Sequence, residues 1–370
     1  VEGTGAYIYA YGKGEKSFLD YLQTTPLQND NEWTEVKLSF ITDNNMDSIR
    51  IGCFLGGEGE AWFDDVYLSR LDSGKKKMRK VAKKYLKKFF TQVKRPALDT
   101  KKTDWKILKE TAFELAAGAQ TPAEVHDAIA YVLPKINVHS FFIEPQRASS
   151  LAGDGLGDDE VDPNIVFATG HLIDNSIAYL TVPEFGSGHQ LTQRAYVDSL
   201  QRLIAFLDTD KTTGWIVDLR GNTGGNCWPM LAGVGPLLGE GICGYFAARD
   251  GSNAQAWSYS DGQSAMNGFP FTKSIGYKLK RSSPRIAVLT GPRTASSGEV
   301  TAVAFRGKEN TRSFGAPTSG YSTTNTSIIL SDGGLVLLTV SVYADRNKNT
   351  YGAEITPDMA AEDALAAAVE

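Results

Sequence analysis

Residues 286–305 constrain the fold more than any other stretch of the chain. Ile286-Ala-Val-Leu289 is an apolar run of the length of a buried strand. It passes through Thr290-Gly-Pro-Arg-Thr-Ala-Ser-Ser-Gly-Glu299 into Val300-Thr-Ala-Val-Ala-Phe305, which is alanine-rich and apolar, as the start of a buried helix is. A strand, a tight Gly/Pro turn and a helix without a polar face belong inside an α/β layer. A serine at such a junction has its oxygen exposed near the positive end of the helix. The N–H of the next residue is then free to face a developing oxyanion. The same residues also read as a helix cap, with Ser296 as N-cap and Glu299 three positions on.

The rest of the chain fits that layer. From Asp174 onward strands and helices alternate: Ser176–Val182, a helix over 191–208, Thr213–Leu219, a helix over 228–238, then the serine turn. This predicts an α/β domain over 141–370 with a mostly parallel sheet and helices on it. Residues 73–140 read as a helical segment. In it Lys75-Lys-Lys-Met-Arg-Lys-Val-Ala-Lys-Lys-Tyr-Leu-Lys-Lys-Phe-Phe90 is free of acid, yet Met78, Val81, Tyr85, Leu86 and Phe89 recur at helical spacing. Such a helix either meets anionic lipid or polymer, or turns its apolar stripe onto the α/β domain. The stripe needs a partner surface, which favours the second. Thr121-Pro-Ala-Glu124 caps a further helix.

Residues 1–72 read as a small all-β module. Tyr7–Tyr11, Trp33–Phe40, Ser48–Phe54 and Ala61–Leu68 mostly alternate apolar and polar residues. Gly56-Gly-Glu-Gly followed by Ala61-Trp-Phe-Asp-Asp-Val-Tyr-Leu68 resembles the closing strand of carbohydrate-binding jelly rolls, though the module is short for a complete one. Its aromatic side chains either stack on a glycan or pack inside a small sandwich.

The composition excludes several functions. A net charge of −5 does not suit nucleic acid binding over the whole surface, and no apolar run is long enough to span a bilayer. The first five residues are not a signal peptide. Cys53, Cys227 and Cys243 fit no zinc pattern, and with no ligand cluster no metal or organic cofactor is expected.

Five segments carry chemistry: Ile136-Asn-Val-His-Ser140, Ile216-Val-Asp-Leu-Arg-Gly-Asn-Thr-Gly-Gly225, Thr294-Ala-Ser-Ser-Gly-Glu299, Phe314-Gly-Ala-Pro-Thr-Ser-Gly320 and Ile355-Thr-Pro-Asp358. In order and content they resemble the S41 serine peptidases, the group that holds the C-terminal processing proteases, the tricorn core protease and the interphotoreceptor retinoid-binding protein. The resemblance runs from about Lys75 to Ala360 and implies a crotonase-like α/β core. It implies Ser296 as nucleophile, with the Ser297 N–H and the Gly224-Gly225 turn as the oxyanion hole. Asp218 and Arg220 read as structural, fixing that turn.

The base is where this family divides. The processing proteases use a lysine after their Gly-x-Pro-Thr stretch, where this chain has Gly320-Tyr321-Ser322. Tricorn-like members use a histidine in a short Asp-x-His-Ser motif, which here reads Asn137-Val-His-Ser140 and supplies His139. A neutral imidazole in reach of Ser296 takes its proton and returns it to the leaving amine. The other histidines, His126, His171 and His189, match no motif. The third member, which holds the imidazole tautomer, is Asp345 or Glu354 by resemblance, and Asp345 could equally pair with an arginine. Only Phe141 to Ser176 separates the histidine motif from the core sheet, too little for a PDZ domain. The expected activity is peptide-bond hydrolysis through an acyl-enzyme on a peptide or protein substrate. The competing expectation is a catalytically idle relative that binds an apolar ligand, a peptide or a glycan. An exported, periplasmic or cell-surface location follows from the resemblance.

Overall fold

The computed structural model describes residues 5–13, 22–24, 27, 32–38, 48–56, 59–68, 77–152, 156–157 and 159–370. Residues 39–40, 57–58 and 75–76, on which parts of the sequence expectations fall, lie outside them. The chain divides into two compact units, 1–75 and 76–370.

In the first unit the strands Leu22–Gln23, Gly5–Lys13 and Ser48–Gly56 form an antiparallel sheet in that order. Tyr7 and Phe54 face each other across it with ring centroids 5.2 Å apart. The strands expected over 33–38 and Ala61–Leu68 are not formed. Trp62 and Tyr67 are 72% and 84% exposed. Alternation builds a strand only where another layer covers its apolar face, and among the described residues nothing covers these side chains. The jelly-roll closing strand is therefore not among the described elements.

The second unit is built on two sheets. The first runs in the order Met359–Ala360, Thr311–Gly315, Arg285–Thr290, Gly214–Asp218, Ile177–Thr181, Gly170–Ile173. All neighbours are parallel except the last pair. Successive side chains alternate between faces. Trp215, Val217, Ile286 and Val288 enter the largest core with the helices Gln190–Leu207, Cys227–Leu238 and Ser297–Phe305. Ile216, Ala287 and Leu289 point the other way, into a cluster with Phe314 and with Ala364 of the helix Ala364–Val369. Both faces are covered, which is why these strands read as continuous apolar runs.

The second sheet is antiparallel, in the order Phe269–Lys273, Gln263–Met266, Gln255–Ser260, Gly241–Ala247, Leu335–Ala344, Thr323–Ile329, with Phe141–Ile143 also paired to Leu335–Ala344. The sequence reading did not anticipate it, although its signal is present. Asp261-Gly262 and Asn267-Gly268 have φ values of 44° and 77°, and of 50° and 82°. Two successive positive φ values are what a two-residue type I′ hairpin requires.

The helices Lys80–Lys94, Trp105–Leu115 and His126–Ile136 share a second core with Val336 and Leu338 of the antiparallel sheet. The basic helix buries Ala82, Tyr85, Leu86, Phe89, Phe90 and Val93, while Val81, expected in the stripe, is 48% exposed. Its apolar face is thus covered within its own unit.

Candidate active site

Strand Arg285–Thr290 and helix Ser297–Phe305 meet at Ser296, which has φ 50° and ψ −114°. A left-handed φ on a serine costs on the order of 1–3 kcal/mol and persists only where neighbours impose it. Here the Ala295 N–H donates to the Asn222 carbonyl at 3.0 Å, and the Gly298 N–H to the Ala295 carbonyl at 2.8 Å. The Thr294 hydroxyl donates to the Leu219 carbonyl at 2.9 Å. The Ser296 side chain lies beside the buried Tyr343 hydroxyl. The Ser297 hydroxyl is committed to the Gly225 carbonyl at 2.6 Å, while its backbone N–H has no hydrogen bond among the described residues.

The glycine turn lies directly against this one. Gly224 and Gly225 have φ values of 109° and 111°. A Cβ on Gly224 would stand 2.9 Å from Ser296 Cβ and 3.1 Å from Ser297 N, and one on Gly225 would stand 2.1 Å from the Phe185 carbonyl oxygen. Only glycine fits either place. The Gly224 N–H donates to Asn222 Oδ1 at 2.9 Å, so of the two glycines only Gly225 has an N–H without a hydrogen bond among the described residues. Asn222, fully buried, also donates from Nδ2 to the carbonyls of Val182 and Pro183. Asp218 accepts from the Arg220 backbone, the Arg220 guanidinium and the Tyr179 hydroxyl. Burial alone would raise the Asp218 carboxyl, but these hydrogen bonds outweigh it and hold the group below the usual range. Asp218 and Arg220 brace the turn from behind.

Glu299 has no exposed surface. Its carboxylate accepts from the Ser296 N–H at 2.8 Å, the Thr318 hydroxyl at 2.5 Å and the Gly320 N–H at 3.1 Å. Burial pushes its carboxyl up to about 7, against the pull of these donors. It therefore does more than cap a helix, since it ties the serine turn to the segment 318–320.

His139 stands against the next residues of that segment. Its Nδ1 is 2.7 Å from the Thr323 hydroxyl. Its ring packs on Tyr321 with centroids 4.9 Å apart. A hydroxyl both donates and accepts, so the Thr323 contact suits either ring tautomer. The backbone of His139 is gripped at both ends. Its N–H donates to Asn137 Oδ1 at 3.0 Å, and its carbonyl accepts from Asn325 Nδ2 at 2.8 Å. Asn137 is itself fixed by donating to Asp99, which Arg249 holds from the other side. Burial drives the His139 imidazole down to about 4 against the raising effect of Thr323, leaving it neutral near pH 7.

The structure does not bring either expected third member to His139. Asp345 is buried, and its oxygens accept from the N–H groups of Asn347 and Asn349, the Asn349 amide and the Tyr351 hydroxyl. It closes its own turn. Arg346 does not pair with it either, but donates to the carbonyls of Leu238, Ile242 and Ala304. Glu354 is exposed. The side chain that meets His139 Nδ1 is Thr323, a residue whose strand no motif had marked. Among the described residues no group of three or more His, Cys, Asp or Glu side chains could hold a metal.

Three comparisons bear on this arrangement. A nisin-resistance protein from Lactococcus lactis subsp. lactis is 33% identical over 199 residues, 54% of this chain and 60% of the relative. This chain therefore spans about 60% of that relative's length. A lipoprotein from Streptococcus agalactiae superposes with a TM-score of 0.63 at 21% identity, over 82% of this chain and 97% of that one. The photosystem II D1 C-terminal processing protease gives 0.51 at 16% identity, over 76% and 93%. At these identities the two structures share the fold. Residues 176–361 match the family model of peptidase family S41, a match that takes in both turns and spans just over half of the sequence, and the chain belongs to that family.

Proposed function

We propose that this protein is a serine peptidase that cleaves peptide bonds through an acyl-enzyme, with Ser296 as nucleophile and His139 as general base. One observation carries the reading. Ser296 is held in a left-handed turn at the head of a helix, against Gly224 and Gly225, with the N–H groups of Ser297 and Gly225 uncommitted. Ser296 Oγ attacks the substrate carbonyl and its proton passes to His139 Nε2. The tetrahedral oxyanion accepts from the two open N–H groups. Collapse expels the amine, which takes the proton from His139, and water repeats the sequence to release the acid and free serine. In the working tautomer Nδ1 donates its proton to the Thr323 hydroxyl, in the place where an acid was expected, and the Nε2 lone pair faces the serine. Tyr321 narrows the approach to His139 by packing on its ring.

The substrate is a peptide or protein met at the cell envelope. That location rests on the lipoprotein neighbour and the nisin-resistance relative, and among the described residues no helix is long and apolar enough to cross a membrane. The relative's name makes nisin the first trial substrate. A fluorophosphonate probe tests the chemistry. Wild type and Ser297→Ala should label while Ser296→Ala and His139→Ala do not. A folded wild type that resists the probe, or labelling that survives Ser296→Ala, would remove the mechanism and leave the ligand-binding alternative.

A further inference from the structure

Charge is distributed very unevenly along the chain. Residues 75–95 hold eleven of the 38 lysines and arginines and none of the 43 acids. The remaining 27 cations face 43 acids, so the rest of the protein carries a net charge of −16. The helix Lys80–Lys94 spends its apolar stripe on the second core, which leaves Lys83, Lys84, Lys87, Lys88 and Lys94 exposed.

Beside it the helix Trp105–Leu115 forms the other wall of a groove of about 750 Å³. Four cations line that groove, Lys87, Lys94, Arg95 and Lys109, together with the buried Phe90 and the partly exposed Trp105. No ion pair engages any of the four among the described residues. The Trp105 indole N–H donates to the Thr100 carbonyl at 2.9 Å, which fixes the ring at the rim. Four unneutralised cations around one groove repel one another unless an anion sits between them.

The geometry points to an electrostatic docking face for an anionic phospholipid bilayer, with the groove taking one phosphodiester headgroup and the helix lying along its neighbours. A soluble anion would satisfy the groove alone. The exposed lysines continue past it along a 15-residue helix, about 22 Å at 1.5 Å per residue, which matches an extended charged plane better than a single phosphate. The strongly acidic remainder is repelled by the same surface, so the molecule approaches it by this face. Because the apolar stripe is buried in the fold, contact is by charge and by the Trp105 rim, not by insertion of the helix.

Co-sedimentation of the full chain with vesicles tests this. Vesicles of phosphatidylcholine with one third phosphatidylglycerol should retain the protein, and vesicles of phosphatidylcholine alone should not. Raising ionic strength to about 0.5 M should release it. The combined Lys87→Gln, Lys94→Gln, Arg95→Gln and Lys109→Gln variant should bind about a hundredfold more weakly. A variant of equal charge change at Arg202, Lys211, Lys278 and Arg281 should lose far less, and thermal melts of both should match wild type. Equal loss in the two variants would overturn the assignment of this face. Retention on neutral vesicles would overturn its electrostatic nature. Binding to soluble poly(glycerol phosphate) without binding to vesicles would overturn the bilayer and give the groove to a free polymer.

Discussion

The residue that sets the pH behaviour is His139. Burial lowers its imidazole from 6.5 to about 4, so the free base persists well below neutrality. The acid limb of kcat/KM should then fall through about pH 4, not near 6.5. A limb at 6.5 would show that the ring is solvated in the working enzyme. The same burial weakens the fold in acid. Between pH 6.5 and 4 the unfolded chain binds a proton at this site and the folded chain does not, so stability declines as pH falls, by about 3 kcal/mol at most. Glu299 acts in the opposite sense. Its folded carboxyl ionises at about 7 against 4.5, so its contribution is complete below 4.5 and is lost as pH rises through 7. The two windows overlap, so between pH 4.5 and 6 the effects nearly cancel in the wild type. Urea titrations at pH 4.5, 6 and 8 should show stability rising with pH over that range in Glu299→Gln and falling with pH in His139→Asn. Thr323→Val removes the hydroxyl partner of Nδ1 but keeps the shape, and should lower kcat about tenfold or more with little change in KM. Residues of this kind divide sharply in legibility. Ser296, His139 and the two glycines stood in short motifs because chemistry demands those residue types beside particular neighbours. Thr323 and Asn325 did not, because they reach His139 from a strand almost 190 positions away, where any hydroxyl or amide would look ordinary.

Among the elements, the two turns behave as one unit. Gly225→Ala would bring a methyl to 2.1 Å from the Phe185 carbonyl at a φ that alanine resists. It should cost about 3 kcal/mol or more and abolish probe labelling even where the protein still folds. The helical segment is held to the antiparallel sheet by a different device. The buried His126 ring lies 2.8 Å from Glu144, 2.7 Å from Asp332 and 3.3 Å from the Tyr85 hydroxyl, and Tyr85 also donates to Asp332. One ring thus joins the helices Lys80–Lys94 and His126–Ile136 to the loop before strand Leu335–Ala344. His126→Ala empties a buried site and removes one partner of Asp332, which keeps the Tyr85 hydroxyl and the Gly334 N–H, and should cost about 2–3 kcal/mol. Hydrogen exchange should quicken in those helices before it does in the parallel sheet, and uniform quickening would mean the clamp is not local. His126 matched no motif, since a clamp needs only partners in space. The parallel sheet was readable for the opposite reason. Burial on both faces writes a continuous apolar run, whereas the antiparallel sheet hides its pattern behind partial exposure and shows itself mainly in two hairpin dipeptides.

At the scale of the molecule, the chain divides near residue 75, and the described contacts of the proposed site all lie in the second unit. The three buried clusters draw all their members from Met78 onward, and the core they form covers both faces of the parallel sheet. Each contact that sets Ser296, His139, Glu299 and Thr323 also lies within that unit. Stability per domain follows the apolar surface a domain buries for itself, so a piece that keeps its whole core keeps its cooperative transition. A chain of residues 77–370 should therefore melt in one step within a few degrees of the same unit in the full protein, and should label with the fluorophosphonate probe at an unchanged rate. Loss of labelling with the melt intact would give residues 1–76 a part in the site through contacts of their own. Loss of both would mean that the first unit covers apolar surface on the second. The retained basic helix makes the fragment useful in one more respect. Its binding to anionic vesicles should match that of the full chain, since all four groove cations remain, and the two measurements on one fragment separate the site from the docking face.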